Sequence, residues 1–590
     1  MLNAKRLILA ACVIVSLFLI YFFAQRDTAI FTLPERQYSI LVEPSGNAVV
    51  TETVTWKLLK PFRYVSWNLE LQNPMKISDF TFQVLEGPSL EGGPFYASKT
   101  ANKIELRLMF SPTMNTYVDV PDEGLIVKVA FAYHVKNMLI EGRDFTQLYV
   151  KYIGENTPVR TEKLVAKVVL PDEFGPPEIY HHPWGLYFTK KNIIGNMYEI
   201  AFSNVPKNTF VEGRFVFPNL IGTGTEFLRK DVTYEDVIKE ERSYKNKSLF
   251  INLASGAYLL LVIIVPILIY RKLGREEKID YGAEYEREVP SNDAPEEVNA
   301  IVKNICSLPD DDAISAAILD MLKRKEIELL KDEKGRIKGM KIAKTKTSRN
   351  LLLKAFLPFS ENGEIDFKTT KKMLKKQRYA KQFVSDINGW KKHVWLEVKK
   401  RKYLNAKGNI LAKLFSTIFG IAIPVLIIFS TRVWIESGLS VVASYTTIEM
   451  MGCIAVGAVV LLMRKDVFSK WSKEGLLYYL RWKSFERFLN DFSALSEYPP
   501  ESVAIWDDYI VYATALGCAK KVVSSLKKLH PTPPETPVAG SVYSYPLFIT
   551  EISSLPKVAV STTSSSQSSH SFTGGSGIGG GVGGSNVGAG

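Results

Sequence analysis

FINLASGAYLLLVIIVPILIY, Phe250 to Tyr270, is a run of 21 residues without one ionised side chain. As a helix it covers about 30 Å of hydrocarbon, so it reads as a membrane span. Arg271, Lys272 and Arg275 follow at once. Basic residues beside a span stay on the cytoplasmic side, which places the preceding chain outside. Every other segment takes its compartment from this one.

The chain has 590 residues, 46% of them apolar and 12% aromatic. That is enough for several packed domains as well as membrane segments, and it excludes an overall disordered protein. The net charge of +13 is uneven, with −1 over residues 25–248, +10 over 271–412 and +2 over 464–590. The basic excess lies in the parts assigned to the cytoplasm, where an anionic inner leaflet is a better expected partner than nucleic acid. None of the four cysteines, Cys12, Cys306, Cys453 and Cys518, falls between residues 25 and 248, so no disulfide is expected outside. No two have metal or redox spacing, and no cofactor is implied.

Leu7 to Ala24 is an apolar run behind Lys5 and Arg6. Phe22 occupies the −3 position of a cleavage after Ala24, where a small residue is wanted, so residues 1–24 read as a retained anchor with its N-terminus inside. Residues 25–227 change to short β-rich runs: Arg36 to Val42, Ala48 to Trp56, Ile77 to Val84, Ile104 to Phe110, Leu125 to Val135, Lys163 to Leu170 and Tyr198 to Phe202. Pro44-Ser45-Gly46-Asn47 is a hairpin turn between the first two. This pattern predicts an extracytoplasmic antiparallel β-sandwich. His181-His182 near Trp184 could be half of a metal site, but no third ligand accompanies them, and a loop or packing role is expected. Residues 228–249 read as a helical or extended stalk.

After the span, residues 271–346 hold a polar linker and then two helices, opened by Pro295-Glu296-Glu297 and by Asp310-Asp311-Asp312, with Ile314, Ile318, Met321 and Leu322 at helical spacing. Ile327 to Lys331 and Arg336 to Ile342 flank Asp332-Glu333-Lys334-Gly335, so the order is helix, helix, β-hairpin, a winged-helix-like module. Three aspartates at the start of the helix before the wing repel phosphate and argue against DNA. Residues 347–412 form a basic helical module. Lys371, Lys372, Lys375, Lys376, Lys399, Lys400, Arg401 and Lys402 are its candidate inner-leaflet or anion contacts.

Residues 414–431 and 444–463 read as third and fourth spans, joined by an outer loop with Arg432, Trp434 and Glu436. Glu449 is a candidate intramembrane acid, expected a turn or two below the outer surface and more in keeping with interfacial accommodation than with an ion or proton role. Within the cytoplasmic helical region 464–530, Tyr478, Trp482, Phe485, Leu489 and Phe492 recur at spacings of 4 and 3. They suit a membrane-surface helix and an ordinary core face equally. Residues 531–590 read as a Pro-rich and then Gly/Ser-rich disordered tail, which puts the C-terminus in the cytoplasm.

The sequence resembles the YciQ-like predicted membrane proteins, a domain-of-unknown-function family. The resemblance rests on Pro44-Ser45-Gly46-Asn47 with Val50-Thr51-Glu52-Thr53, Glu284-Tyr285-Glu286, Pro295-Glu296-Glu297, and Met321-Leu322-Lys323-Arg324-Lys325-Glu326-Ile327. Glu486-Arg487-Phe488-Leu489, Tyr512-Ala513-Thr514-Ala515-Leu516-Gly517 and the Gly/Ser tail complete it. The family pattern usually has Gly in place of Lys325 and two prolines near Glu286, where this chain has Val289-Pro290 only. The resemblance implies an outer β domain, a membrane region and a cytoplasmic tail, with no catalytic residues to transfer.

The expected architecture is therefore a multi-domain α+β membrane protein with about four transmembrane helices. A non-enzymatic binding, scaffold or signalling role is expected, with the lipid bilayer, an envelope component or a protein as partner. Two rivals stand beside it. One is an envelope-modifying enzyme, which needs Glu52, Glu70, Asp79 and Glu105 to converge in one pocket. The other is a membrane-tethered regulator that lays the wing on nucleic acid.

Overall fold

The computed structural model describes residues 30–186, 188–332, 337–342, 351–436, 439–491, 496, 505–529, 532–544, 547–564 and 586–589. The anchor expected over 1–24, the tip of the wing and Phe492 lie outside them. The described residues fall into two compact units. One is drawn from 30–265, 415–462 and 586–589, the other from 266–414 and 463–564.

The first unit begins with strands β1 (Phe31–Val42), β2 (Ala48–Leu58), β3 (Tyr64–Glu70), β4 (Lys76–Glu86), β5 (Gly93–Lys99), β6 (Lys103–Met109) and β7 (Leu125–Lys136). It continues with β8 (Leu139–Glu141), β9 (Thr146–Ile153), β10 (Thr161–Val169), β11 (Glu178–His182), β12 (Phe188–Ile194), β13 (Met197–Val205) and β14 (Val211–Phe217). The principal helices are α1 (Tyr234–Ile269), α2 (Asp311–Lys323), α3 (Gln377–Lys400), α4 (Ile423–Glu436), α5 (Ser440–Leu462), α6 (Lys473–Asn490), α7 (Ile505–Leu516), α8 (Pro537–Ser544) and α9 (Leu547–Ser564).

Alternation builds the sheets. In β2 every second residue from Ala48 to Leu58 is buried, Val50, Val54 and Trp56 among them. Sheet order is β12-β13-β10-β1-β2-β7-β4, with smaller sheets β11-β14-β9-β8 and β3-β6-β5, all sharing one apolar core. The expectation of a purely antiparallel sandwich is corrected at one place, since β1 and β10 pair in parallel. Parallel neighbours need a long crossover, and residues 43–160 provide it.

The stalk is helical. Thr233 and Asp236 cap α1 reciprocally: Thr233 N–H donates to Asp236 Oδ2 at 3.0 Å and Asp236 N–H donates to Thr233 Oγ1 at 3.2 Å. With 36 residues α1 is about 54 Å long, so its first turns project beyond any hydrocarbon layer that holds Phe250 to Tyr270. Among the described residues three helices can cross a membrane by length and composition, Tyr234–Gly274, Lys407–Thr431 and Val441–Leu462. Arg432, Trp434 and Glu436, read as an outer loop, belong to α4, and the final span begins at Ser440 rather than residue 444.

In the second unit, α2 is followed by β15 (Ile327–Lys331) and β16 (Ile337–Ile342), and β17 (Glu364–Asp366) adds a third strand beside β16. The separate modules expected over 271–346, 347–412 and 464–530 share one hydrophobic core that runs from Val298 to Ala559. Trp482, Phe485, Phe488 and Leu489 of α6 are buried in it, so α6 presents a core face rather than a membrane-surface face. The polar linker is pinned as well: Arg481 Nε donates to Glu286 Oε1 at 2.8 Å, and Tyr512 Oη to the Asp293 carbonyl at 2.9 Å.

The disordered tail expected from residue 531 is a further correction. Helices α8 and α9 bury Val538, Val542, Phe548, Ile552 and Leu555 in the same core. Such side chains carry enough apolar surface to order a segment whose Pro-rich start reads as a break. Asn586–Ala589 pairs antiparallel with β3, whose open edge offers unpaired N–H and C=O groups. That pairing sets residues 586–589 within the β-rich unit.

Candidate functional site

Strand alternation divides the histidine pair between the two faces of β11. His181 packs edge-on against Phe202 and Phe215, with centroids 5.8 and 6.4 Å away. Its burial lowers the pKa to about 4. His182 faces the other way, into a buried charge network. Its Nδ1 lies 3.1 Å from Glu212 Oε1 and its Nε2 2.8 Å from Glu241 Oε2 on α1. Burial alone depresses such a ring, but hydrogen bonds and charge from Glu212 and Glu241 outweigh it and raise the pKa to about 9. Side chains on opposite faces cannot share one metal ion, and among the described residues no group of three His, Cys, Asp or Glu could hold one.

Arg214 of β14 completes the network. Its Nη1 donates to Glu241 at 2.9 Å and to Glu240 at 3.0 Å, its Nε donates to Gln147 Oε1 at 2.7 Å, and its guanidinium lies 5.0 Å from the Tyr149 ring centroid. Tyr149 in turn hydrogen-bonds Glu212. Burial and the Glu212 carboxylate raise the Tyr149 phenol far above its ordinary range. Three strands and the foot of α1 are thus joined by charge-assisted hydrogen bonds away from water, where such bonds are strongest.

Tyr149 and Glu212 also line a cavity of about 130 Å³, together with Tyr38, Met75, Tyr133 and Met138. Below it the inward row of β2 contains one acid, Glu52, which is 1% exposed. Arg36 pairs with that carboxylate, and Trp67 Nε1 donates to it at 2.9 Å. The other acids of the enzyme reading lie elsewhere. Glu70 and Glu105 share Lys103, at 3.3 and 2.9 Å, and Asp79 is an exposed residue 3.8 Å from His134. The four carboxylates do not converge.

The basic candidates separate into two groups. Lys371 and Lys372 sit on the short helix Phe367–Met373, with Lys375 and Lys376 just before α3, all four exposed. Lys399, Lys400, Arg401 and Lys402 lie at the far end of α3, about 36 Å away along its axis. Arg401 is committed inward, bonded to Asp293 at 2.8 Å and to Glu297. Lys400 pairs with Glu397 at 2.6 Å and Lys399 covers the Trp395 ring at 5.2 Å. Lys402 is exposed with φ +52°.

The three aspartates of α2 are ion-paired: Lys303 takes Asp310 at 2.8 Å and also Asp312, and Lys391 takes Asp311 at 2.9 Å. Repulsion by bare carboxylates is therefore not what governs this helix. Burial does. Ala313 to Leu319 are all buried, and Ser315 Oγ donates to the Ile549 carbonyl of α9 at 3.3 Å. Glu449 lies within α5, against Gly256 of α1.

Residues 32–217 match the N-terminal domain, and residues 282–526 the C-terminal domain, of the family described as predicted membrane protein (DUF2207). The chain belongs to this family. The DUF2207 match stops short of α8 and α9, which nevertheless fill the core of the second unit. No curated protein matches the chain. Among solved structures it is similar to an M1 zinc metallopeptidase from Deinococcus radiodurans, at 12% identity over 32% of this chain and 42% of that one, with a TM-score of 0.19. A putative protease from Parabacteroides distasonis matches at 8% identity over 32% and 41%, TM-score 0.20. Leukotriene A4 hydrolase from Saccharomyces cerevisiae matches at 9% over 31% and 29%, TM-score 0.18. The chain thus spans about two fifths or less of each, and likenesses this slight transfer no activity to a DUF2207 protein.

Residue reading missed Glu212, Glu241, Arg214 and Tyr149 because they stand far apart in the chain. For Glu212, Arg214 and Tyr149 the inward or outward parity along the strand was the one available signal; Glu241 lies on a helix.

Proposed function

We propose that this protein is a non-enzymatic, membrane-anchored binding protein. Its β-sandwich faces the outside, receives part of an envelope component in the Tyr38–Tyr133 cavity, and hands occupancy to α1 through Glu212. One observation carries the reading: Tyr149 and Glu212 belong both to the cavity lining and to the charge network that grips α1. The anchor at 1–24 makes a fourth span. The winged-helix-like and helical parts lie inside, with Lys399, Lys400 and Lys402 toward the anionic leaflet and Lys371, Lys372, Lys375 and Lys376 free for other anionic surfaces.

Scattered outer carboxylates weigh against the enzyme reading, and an α2 sheathed by α9 weighs against nucleic-acid readout, which needs an exposed helix face. The test is retention of fractionated envelope glycans, lipids and proteins on the immobilised full chain in detergent. A fraction held by the wild type and lost with Met138→Trp, which fills the cavity, is the expected result. Equal retention by both proteins would end the binding reading.

A further inference from the structure

Apolar side chains close the bundle of α1, α4 and α5, Val262, Met450 and Cys453 at its centre. Its hydroxyls follow one rule. Ser255 donates to the Asn252 carbonyl at 3.1 Å, Thr431 to Ile428 at 2.7 Å and Thr447 to Ala443 at 2.7 Å, which is how a helix satisfies a hydroxyl away from water. Thr446 departs from it. The residue is 1% exposed, and its Oγ1 is buried without a hydrogen-bond partner.

One turn further, Glu449 also leaves Oε2 buried without a partner. Thr446 and Glu449 are i,i+3 neighbours on one face of α5, close enough for a side-chain rotation to join them. Opposite stands Gly256 of α1, where an added Cβ would lie 3.6 Å from Glu449 Oε1, so the missing side chain leaves the carboxyl its place against α1. Counted from Ser440, Glu449 lies about 14 Å along α5. Among the described residues no cation pairs with it. Of the described titratable groups Cys453 on α5 lies in its field, and Tyr258 on α1, beside Cys453, is committed to the Phe419 carbonyl at 2.7 Å.

We propose that Glu449 and Thr446 form a proton-binding site inside the membrane-spanning bundle. The Glu449 carboxylate takes one proton from the medium and becomes the neutral acid, whose O–H Thr446 Oγ1 accepts. It returns the proton when the bundle admits water. An unpaired carboxylate is the costly state in hydrocarbon and a hydrogen-bonded acid the cheap one. The site does not depend on what the outer cavity binds.

The experiment uses the full chain in phosphatidylcholine vesicles, treated with dicyclohexylcarbodiimide, an apolar reagent that adds to protonated carboxyls within a bilayer, and read by peptide mass mapping. The expected result is a label on Glu449 that is absent in Glu449→Gln and declines as the medium is made alkaline. Sodium at constant ionic strength leaves it unchanged. Thr446→Val, which keeps the shape and removes the hydroxyl, moves the midpoint of that decline by about one pH unit. No label at any pH, a label insensitive to pH, protection by sodium, or a midpoint unmoved in Thr446→Val would each overturn the proposal.

Discussion

His182 sits between two carboxylates of the buried network, and its titration has a sign. The folded-state pKa, about 9, stands above the ordinary 6.5. A group raised on folding stabilises the native state fully below its unfolded value and loses that contribution as pH climbs through the folded one. The tie between β11 and α1 is therefore complete below about pH 6.5 and fades toward pH 9, a change worth roughly 2–4 kcal/mol. Thermal unfolding of the full chain in detergent should show a midpoint that falls across that window, and His182→Gln should flatten it. A variant with the wild-type pH profile would remove His182 from the attachment. Glu52 teaches the complementary lesson. As a carboxylate on a β-strand it reads as a candidate acid, yet at an inward position beside Arg36 and Trp67 it is part of the core.

Among the elements, the α4–α5 hairpin depends on two glycines. A Cβ on Gly420 would come within 2.8 Å of Gly457 Cα, and one on Gly457 within 3.0 Å of Gly420 Cα. Backbones this close suit the small-residue packing of membrane helices, which has no hydrophobic drive to replace it. Gly457→Ala should destabilise the chain by about 1–3 kcal/mol, as overpacking does. Gly389→Ala on the exposed face of α3, where an added methyl meets nothing within 4 Å, should be neutral or stabilising by up to about 1 kcal/mol. Unfolding midpoints in detergent check both, and equal effects would dismiss the crossing. Lys325, in the turn before β15, has φ +57°, a region that favours glycine.

For the whole molecule the open question is sidedness. The strand Asn586–Ala589 closes the edge of β3 only when both lie in one compartment. Residues 565–585 are mostly Ser and Gly, with only Phe572, Ile578 and Val582 apolar, so no run there is apolar enough to cross a bilayer. By the charge rule, an impermeant thiol reagent should modify Lys99→Cys from outside and spare Lys325→Cys and Ala589→Cys. Modification of Lys325→Cys with sparing of Lys99→Cys would invert the scheme. Modification of Ala589→Cys together with Lys99→Cys would uphold the strand pairing and put α9 outside.

Local pattern was enough for three apolar helices, the hairpin at Pro44 to Asn47 and half of the strands before the stalk, because period and turn chemistry are written in neighbouring residues. It failed for β3, β5, β8, β9 and β11, for β12, which is exposed on both faces, and for β14, where Arg214 interrupts an almost wholly buried strand. Tertiary structure alone decided that His181 and His182 part company, that His182 links Glu212 to Glu241 of the stalk, and that α8 and α9 finish a core begun nearly 250 residues earlier. Those outcomes depend on which distant surfaces meet, and burial and charge pairing between residues far apart in the chain leave no local period to read.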